Sequence, residues 1–397
     1  MEESRVMRRI YLDNAATTPV DEEVVKEILP YFTDHYGNPS SLHSLGGEAY
    51  NALEKARERV ADILNAKGEN IVFTGGGTEA DNLAIKGIAY RNKEKRGSNG
   101  YNIITTSIEH PAVLETCRYL ERQGFRVKYL PVDEYGLVKL NELEKSISKD
   151  TFLITIMFAN NEIGTIEPIE EIGKIAEENN IVFHTDAVQA VGKVAIDVKK
   201  LSIDMLSISA HKIYGPKGVG ALFVREGIKL EPVIHGGGHE RGLRSGTENV
   251  PGVVGLGKAC ELSKNRFQKD TQYMKDLRDK LIKGILNGIE KSFLNGHPQQ
   301  RLVNNAHFRF TAIEGESLLM GLDEKGIAAS TGSACSSKKL QPSHVLLAIG
   351  LDPVEAHGSL RLTLGRENTE EEIDYVIEVL PKVVDRLREI SPLWKSG

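Results

Sequence analysis

The sequence predicts an α/β fold: a large domain with a mostly parallel sheet, followed by a smaller α+β C-terminal domain. Three observations carry this reading. Short apolar runs and amphipathic helical patterns alternate over about the first 260 residues, as crossover connections between parallel strands require. The alternation ends near residue 250, where a long helical stretch begins. The chain has 397 residues, 40% hydrophobic and 27% charged, which suffices for two cored units of ordinary globular composition.

Taken in order, residues 1–20 are expected to form a segment that packs on the small domain or the cleft. Residues 21–260 make the large domain and 261–397 the small one. Residues 48–65 place Leu53, Ala56, Val60 and Leu64 at helical spacing. A strand lies near 71–73, and 102–107, 151–160, 181–187, 203–209 and 219–224 read as short buried strands. Helical patterns such as 111–122 and 169–179 fall between them. A helical region over 252–292 is followed by a strand near 302–310, a helix near 315–325, a strand over 359–364 and a final helix over 370–389. The stretch NGHPQQ (295–300) reads as a hinge or surface turn.

The net charge of −6 gives no electrostatic drive toward nucleic acid or acidic lipid. The basic start (Arg5, Arg8, Arg9) reads as a solvated tail without a signal peptide's apolar stretch, and no apolar run approaches the ~18 residues of a membrane span. Three cysteines argue against a disulfide framework and for a reducing, cytoplasmic compartment. Cys117 and Cys260 lie in helical patterns and read as small buried hydrophobes. Cys335 differs: it sits in the polar stretch STGSACSSKKL (330–340), where a lone thiol has no packing reason to be.

Open parallel sheets bind ligands at the carboxyl ends of their strands, so the residues after each strand carry the functional reading. After 71–73 comes TGGGTEADN (74–82), where glycines allow close backbone approach and Thr78 can cap the following helix, with Glu79 and Asp81 in its first turn. This is either a phosphate site at a helix N-terminus or a plain glycine-rich turn. His110 falls at a loop–helix junction, Asn161 at a strand end, and Asp186 after a buried strand, with Gln189 three residues on. After 203–208, SAHKIYGPKG (209–218) places Ser209, His211 and Lys212 beside a cleft. A desolvated lysine there is a candidate Schiff-base former. HGGGHERGLRSGTEN (235–249) adds Arg241, Arg244 and Thr247; its two histidines lack a fixed geometry or a third ligand, so no metal site is expected. A phosphate cradle, a carboxylate and a cleft lysine at the ends of different strands are the parts that pyridoxal 5'-phosphate needs.

At this point the chain resembles a cysteine desulfurase of the NifS/IscS type, within the class V aminotransferase superfamily. The stretches that carry the resemblance are YLDNAATTP (11–19), GNPSS (37–41), GGGTEADN (75–82), EHPAV (109–113), NNEIG (160–164), HTDAVQ (184–189), SAHKIYGPKGVGAL (209–222), HGGGHERGLRSGTEN (235–249), STGSAC (330–335) and SLRLTLGR (359–366), in family order over nearly the whole chain. The long loop around Cys335 resembles the family's group that feeds iron–sulfur scaffolds. Gly77 stands where relatives often have Ala, and Thr331 where they often have Ser.

The resemblance implies the PLP-dependent transferase fold (fold type I) and the following roles. Lys212 holds the cofactor covalently and then acts as general base, Asp186 faces the pyridinium nitrogen, Gln189 the ring hydroxyl, and His110 stacks on the ring. Gly77, Thr78, Ser209 and His211 cradle the phosphate, joined by Thr247 from the other subunit of a homodimer. Arg361, with Asn161 nearby, reads the carboxylate of L-cysteine, because a guanidinium fork matches a carboxylate bidentately. Cys335 takes the substrate's sulfur as a persulfide and delivers it to an acceptor such as an iron–sulfur cluster scaffold, with a transient iron contact conceivable. Lys338, Lys339 and His344 are candidates to favour its thiolate. The scaffold is expected to dock near this loop and the C-terminus, where Trp394 is either an anchor or packed against its own domain. An aminotransferase would need no loop cysteine. A selenocysteine lyase would use the same pocket, and a catalytically silent scaffold would not need Lys212, Asp186 and Arg361 together.

Overall fold

The carboxyl ends of five parallel strands open onto one edge of the central sheet, and that edge is where the sequence gathers its polar residues. The computed structural model describes residues 9–332 and 342–394. Its first eight strands are β1 (Ile10–Tyr11), β2 (Ile71–Thr74), β3 (Ile103–Thr106), β4 (Val127–Leu130), β5 (Leu153–Thr155), β6 (Val182–Asp186), β7 (Met205–Ser209) and β8 (Gly220–Val224). Then come β9 (Ser292–Leu294), β10 (Asn305–Phe310), β11 (Ile327–Ala328) and β12 (Ser359–Thr363). The helices are α1 (Glu22–Ile28), α2 (Pro30–Thr33), α3 (Ser44–Ile63), α4 (Gly77–Arg91), α5 (Pro111–Arg122), α6 (Leu140–Ser146), α7 (Ile169–Glu178) and α8 (Val250–Gly288). The last four are α9 (Gly315–Asp323), α10 (His344–Ala348), α11 (Pro353–His357) and α12 (Glu370–Ile390).

The central sheet has the order β2-β8-β7-β6-β5-β3-β4, with β3 to β7 parallel and β8 antiparallel to both neighbours. Alternate residues feed opposite faces: Phe73, Ile104 and Ile154 enter one hydrophobic cluster and Val72, Ile103 and Leu153 another. Burial on both faces explains why these strands read as unbroken apolar runs. A separate cluster gathers β10, β12, α9, α12 and the far end of α8 around Phe308, Phe310 and Leu281. Helix α8 is continuous across positions 260 and 261; its Leu256 and Cys260 lie in the first cluster and its Leu277 and Ile285 in the other.

Several elements differ from the pattern read in the sequence. The strand expected over 151–160 is regular only for Leu153–Thr155, although the Ile156 and Phe158 amides still donate to the His184 and Asp186 carbonyls. The chain bends away there and delivers Asn160 and Asn161 to the sheet edge. Helix α3 begins at Ser44 because the His43 ring accepts from the Gly46 amide, and α8 stops at Gly288 because residues 292–294 pair with β10. The stretch 295–300 is a turn but not a free hinge. The His297 amide donates to Thr165 Oγ1 at 3.0 Å, and the Ile166 amide to the Gln300 carbonyl at 3.0 Å. Thr78 is not the cap of α4; that position is Gly76, which offers no side-chain hydrogen bond, and Asp81 lies past the first turn, where only Glu79 falls, and is buried.

The loop over 235–249 is fixed to the sheet by one buried ion pair. Arg57 of α3 meets Glu240 bidentately at 2.8 Å on both sides, and Glu240 also accepts from the Phe73 amide at 2.7 Å. Glu240 and Arg241 hold left-handed backbone angles (φ 48° and 56°), a strain that this clamp sustains. Removing one partner of a buried pair strands the other charge, so Arg57→Ala should cost about 3–5 kcal/mol of stability, measured by denaturant unfolding of the variant against the parent.

Candidate active site

A cavity of about 310 Å³ opens at the carboxyl edge of β6 and β7, and its wall contains Gly77, Thr78, His110, Asn161, Asp186, Gln189, Ser209, His211, Lys212 and Arg361. The topology brings them together: Asp186 and Ser209 end β6 and β7, Lys212 closes the turn after β7, and Gly77 and Thr78 open α4. His110 is the N-cap of α5, its Nδ1 accepting from the Ala112 amide at 3.1 Å. Thr247 is exposed and is not part of this wall. Cys335, Lys338 and Lys339 lie outside the described residues. His344 is described, and its Nε2 shares a hydrogen bond with the Glu109 carbonyl at 3.0 Å.

The N-terminal segment forms part of the same wall through Ala15 and Ala16. Strand β1 pairs with β11 and Asp13 bridges to Thr363, which fixes the segment against the C-terminal cluster. From there it crosses the cavity. Lys212 Nζ donates to the Ala15 and Ala16 carbonyls at 2.6 and 2.7 Å, and Gln189 Nε2 donates to Ala15 at 3.0 Å. His211 Nδ1 lies 3.1 Å from Thr17 Oγ1. Arg361, buried in β12, donates through Nη2 to Asp13 Oδ1 at 2.8 Å and through Nη1 to the Asn161 carbonyl at 3.0 Å.

The electrostatics are those of a dry site. Burial pushes the Asp186 carboxyl up, while His110, the Val188 amide and Lys212 pull it back down. Burial, together with Lys212 and His344, lowers His110 and so favours its neutral ring, although Asp186 opposes the shift. Burial and the neighbouring Lys212 and Lys217 depress His211 to about 4. Behind Asp186, His184 is wholly enclosed, with Nδ1 2.8 Å from Thr155 Oγ1 and Nε2 3.0 Å from Ser207 Oγ, and burial lowers it to about 3. Asp81 also reaches the cavity wall with one buried oxygen that has no hydrogen-bond partner among the described residues. Its signal in the sequence was its place on the apolar face of α4, four residues after Gly77 and four before Ile85.

The wall fits pyridoxal phosphate on three counts. Asp186 is a buried carboxylate that accepts from the Val188 amide at 2.9 Å, and a protonated ring nitrogen would satisfy its charge. Gly76, at φ 152° and ψ −179°, holds a conformation essentially restricted to glycine, and a Cβ on Gly77 would lie 2.7 Å from Val188 Cγ2. The start of α4, free of a side-chain cap, therefore offers its amides to an anion. Lys212 supplies the amine. The other two cysteines are fully buried, and burial raises Cys117 and pushes Cys260 up to about 12, so neither is a ready nucleophile. Trp394 stacks on its own domain, with Arg388 at 4.2 Å and Lys291 at 5.0 Å from the ring centre.

Comparison with known proteins supplies relatives. The family model Aminotransferase class-V matches residues 10–376. Cysteine desulfurase IscS of Methanosarcina thermophila is 58% identical over 386 residues, covering 97% of this chain and 94% of that protein. Cysteine desulfurase IscS 1 of Archaeoglobus fulgidus is 52% identical, covering 97% and 99%. Among solved structures, a NifS-like protein matches with a TM-score of 0.89 at 43% identity, covering 96% of this chain and all of that one. A structure of SspA in complex with cysteine matches with a TM-score of 0.80 at 41% identity, covering 91% and 100%.

The depressed His184 gives a pH test. Its folded value lies below the ordinary one, so the unfolded chain binds the extra proton between about 3 and 6.5, and His184 costs stability as the pH falls through that window. His184→Gln should therefore reduce the slope of stability against pH between 4 and 6 by roughly 1.4 kcal/mol per unit, read from denaturant midpoints at a series of pH values.

Proposed function

The chain belongs to the class-V aminotransferases and, within them, to the cysteine desulfurases, and from that premise we propose how its residues divide the work of converting L-cysteine to L-alanine. The observation that carries the reading is the convergence of Lys212, Asp186, His110 and Arg361 on one cavity. Pyridoxal phosphate, when bound, withdraws electrons from the carbon skeleton of the amino acid. Lys212 would carry it, Asp186 would sit against its ring nitrogen, Gln189 against its ring hydroxyl and His110 on its face. Gly77, Thr78, Ser209 and His211 would hold the phosphate, with Thr247 reaching the site of a second copy.

Arg361 would orient the substrate through its carboxylate, helped by Asn161. With the carboxylate held, the α-hydrogen is presented to Lys212, whose amine moves the proton. Cys335 would then attack the substrate sulfur as a thiolate. The sulfur–sulfur bond forms, the β-carbon–sulfur bond breaks, and its electron pair stays with carbon, which takes up a proton to become the methyl group of alanine. The persulfide on Cys335 passes to an acceptor, in this reading an iron–sulfur cluster scaffold docking near the Cys335 loop and the C-terminus, with a transient iron contact at that sulfur. Trp394 is engaged by Arg388 and Lys291, so docking would use neighbouring surface.

A homodimer belongs to the same reading. Thr247 is exposed in the single chain, and Leu29, Phe32, Tyr36, Leu42 and Tyr50 leave large apolar side chains uncovered within one stretch of sequence. Cytoplasmic residence is supported by the free, buried Cys117 and Cys260. Among the described residues no helix is long and apolar enough to cross a membrane.

The experiment is release of alanine and sulfide from L-cysteine by the purified protein. Lys212→Ala should abolish both, together with the visible absorbance of the lysine-bound cofactor. Arg361→Lys should lose about 2–5 kcal/mol of substrate recognition, seen in kcat/KM, because a single ammonium cannot reproduce the fork. Cys335→Ser should still bind cysteine and yet load no persulfide on an acceptor. Full turnover by the Lys212 variant would overturn the assignment.

A further inference from the structure

The guanidinium that would read the substrate carboxylate already holds a carboxylate of its own chain. Arg361 is 3% exposed, and its Nη2 donates to Asp13 Oδ1 at 2.8 Å. Its Nη1 donates to the Asn161 carbonyl at 3.0 Å, and its Nε, also buried, has no partner among the described residues. Asp13 is not mobile surface charge. Its backbone bridges to Thr363 two residues along from Arg361, its carbonyl accepts from the Tyr11 hydroxyl at 3.0 Å, and the strand before it pairs with β11. The carboxylate is thus held against Nη2, and the buried Nε is left without a partner among the described residues.

We propose that Asp13 sets the affinity and selectivity of the site for amino-acid carboxylates by sharing the Arg361 guanidinium with them. This rests on the assignment of Arg361 to the substrate carboxylate. An incoming α-carboxylate that reaches Arg361 from the cavity comes to lie beside a second negative charge. The two meet at one largely buried guanidinium, where like charges repel more strongly than in water. Each bound amino acid is therefore held less tightly than an unshared arginine would hold it, and the product, which carries the same carboxylate as the substrate, is released for the same reason. Asp13 also precedes the two carbonyls that hold Lys212 by two and three residues, so the shared charge sits on the segment that positions the base.

The test is equilibrium binding of L-alanine to the cofactor-loaded protein, followed by the change in visible absorbance without turnover. Asp13→Asn keeps an oxygen to accept from Nη2 and removes only the charge. It should tighten L-alanine binding by roughly 5- to 30-fold, the effect of one unpaired like charge at this range. Alaninol, which lacks the carboxylate, should bind the parent and the variant equally. The KM for cysteine should fall alongside, and kcat should not rise. Asp13→Ser serves as a second variant if the first does not fold, with thermal unfolding as the check. Unchanged or weaker alanine binding, or an equal gain for alaninol, overturns the inference. Failure of the parent itself to bind L-alanine would instead count against the assignment of Arg361.

Discussion

Everything in the site depends on one strand-like segment being held in place across the cavity. Residues 10–18 take register from β11 and β12, then present Asp13 to Arg361, the Ala15 and Ala16 carbonyls to Lys212, and Thr17 to His211. Together these contacts join the C-terminal cluster to the edge of the central sheet. The parallel sheet alone would deliver Asp186, Ser209 and Lys212 to a common edge, but not Arg361, which belongs to a different sheet. The segment links the two hydrophobic clusters at one cavity.

The second organising feature is the density of buried acid. Asp81, Glu109, Glu162, Glu167 and Asp186 are all buried, and in each case burial is the largest influence and raises the carboxyl. Their hydrogen bonds differ. Glu109 accepts from Thr106 Oγ1 at 2.6 Å and from the Met157 amide at 3.0 Å, so it braces the strand ends. Glu162 accepts from the Ser343 hydroxyl and lies close to Arg361, so it supports the far side of the cavity. Asp186 alone pairs a place on the cavity wall with direct influence from both His110 and Lys212, which separates it from the bracing carboxylates.

The sequence made the sheet and most of the cavity wall legible. The strands are short, apolar and followed by glycine or polar residues, so both their positions and the importance of their ends could be read locally. Lys212, Asp186, His110, Gln189, Ser209 and His211 all follow from that single rule. What stayed hidden depends on pairing across long separations. Asp13 meets Arg361 from the opposite end of the chain, and no local pattern marks such a pair. The cap of α4 falls at Gly76 rather than Thr78, in a backbone that packs directly against Gly220, a contact between residues far apart in sequence. The early exit from the strand at Thr155 is likewise decided by the need to reach the sheet edge, although the apolar run continues. Thr247 and Cys335 owe their assignment to family resemblance rather than to geometry in this chain.

The pairing of β1 with β11 has a consequence for how the protein is made. Ile10 and Tyr11 leave the ribosome early, and their partners Ile327 and Ala328 only after almost all of the remaining chain. A nascent chain can therefore complete its central sheet while residues 10–18 still lack their C-terminal anchor. Arg361 follows later still. On the role proposed for Arg361, a growing chain until then has strand ends, a lysine and a glycine-rich turn, but no means of choosing an amino acid. Synthesis order would thus withhold substrate recognition from unfinished molecules and make it one of the last properties the polypeptide acquires.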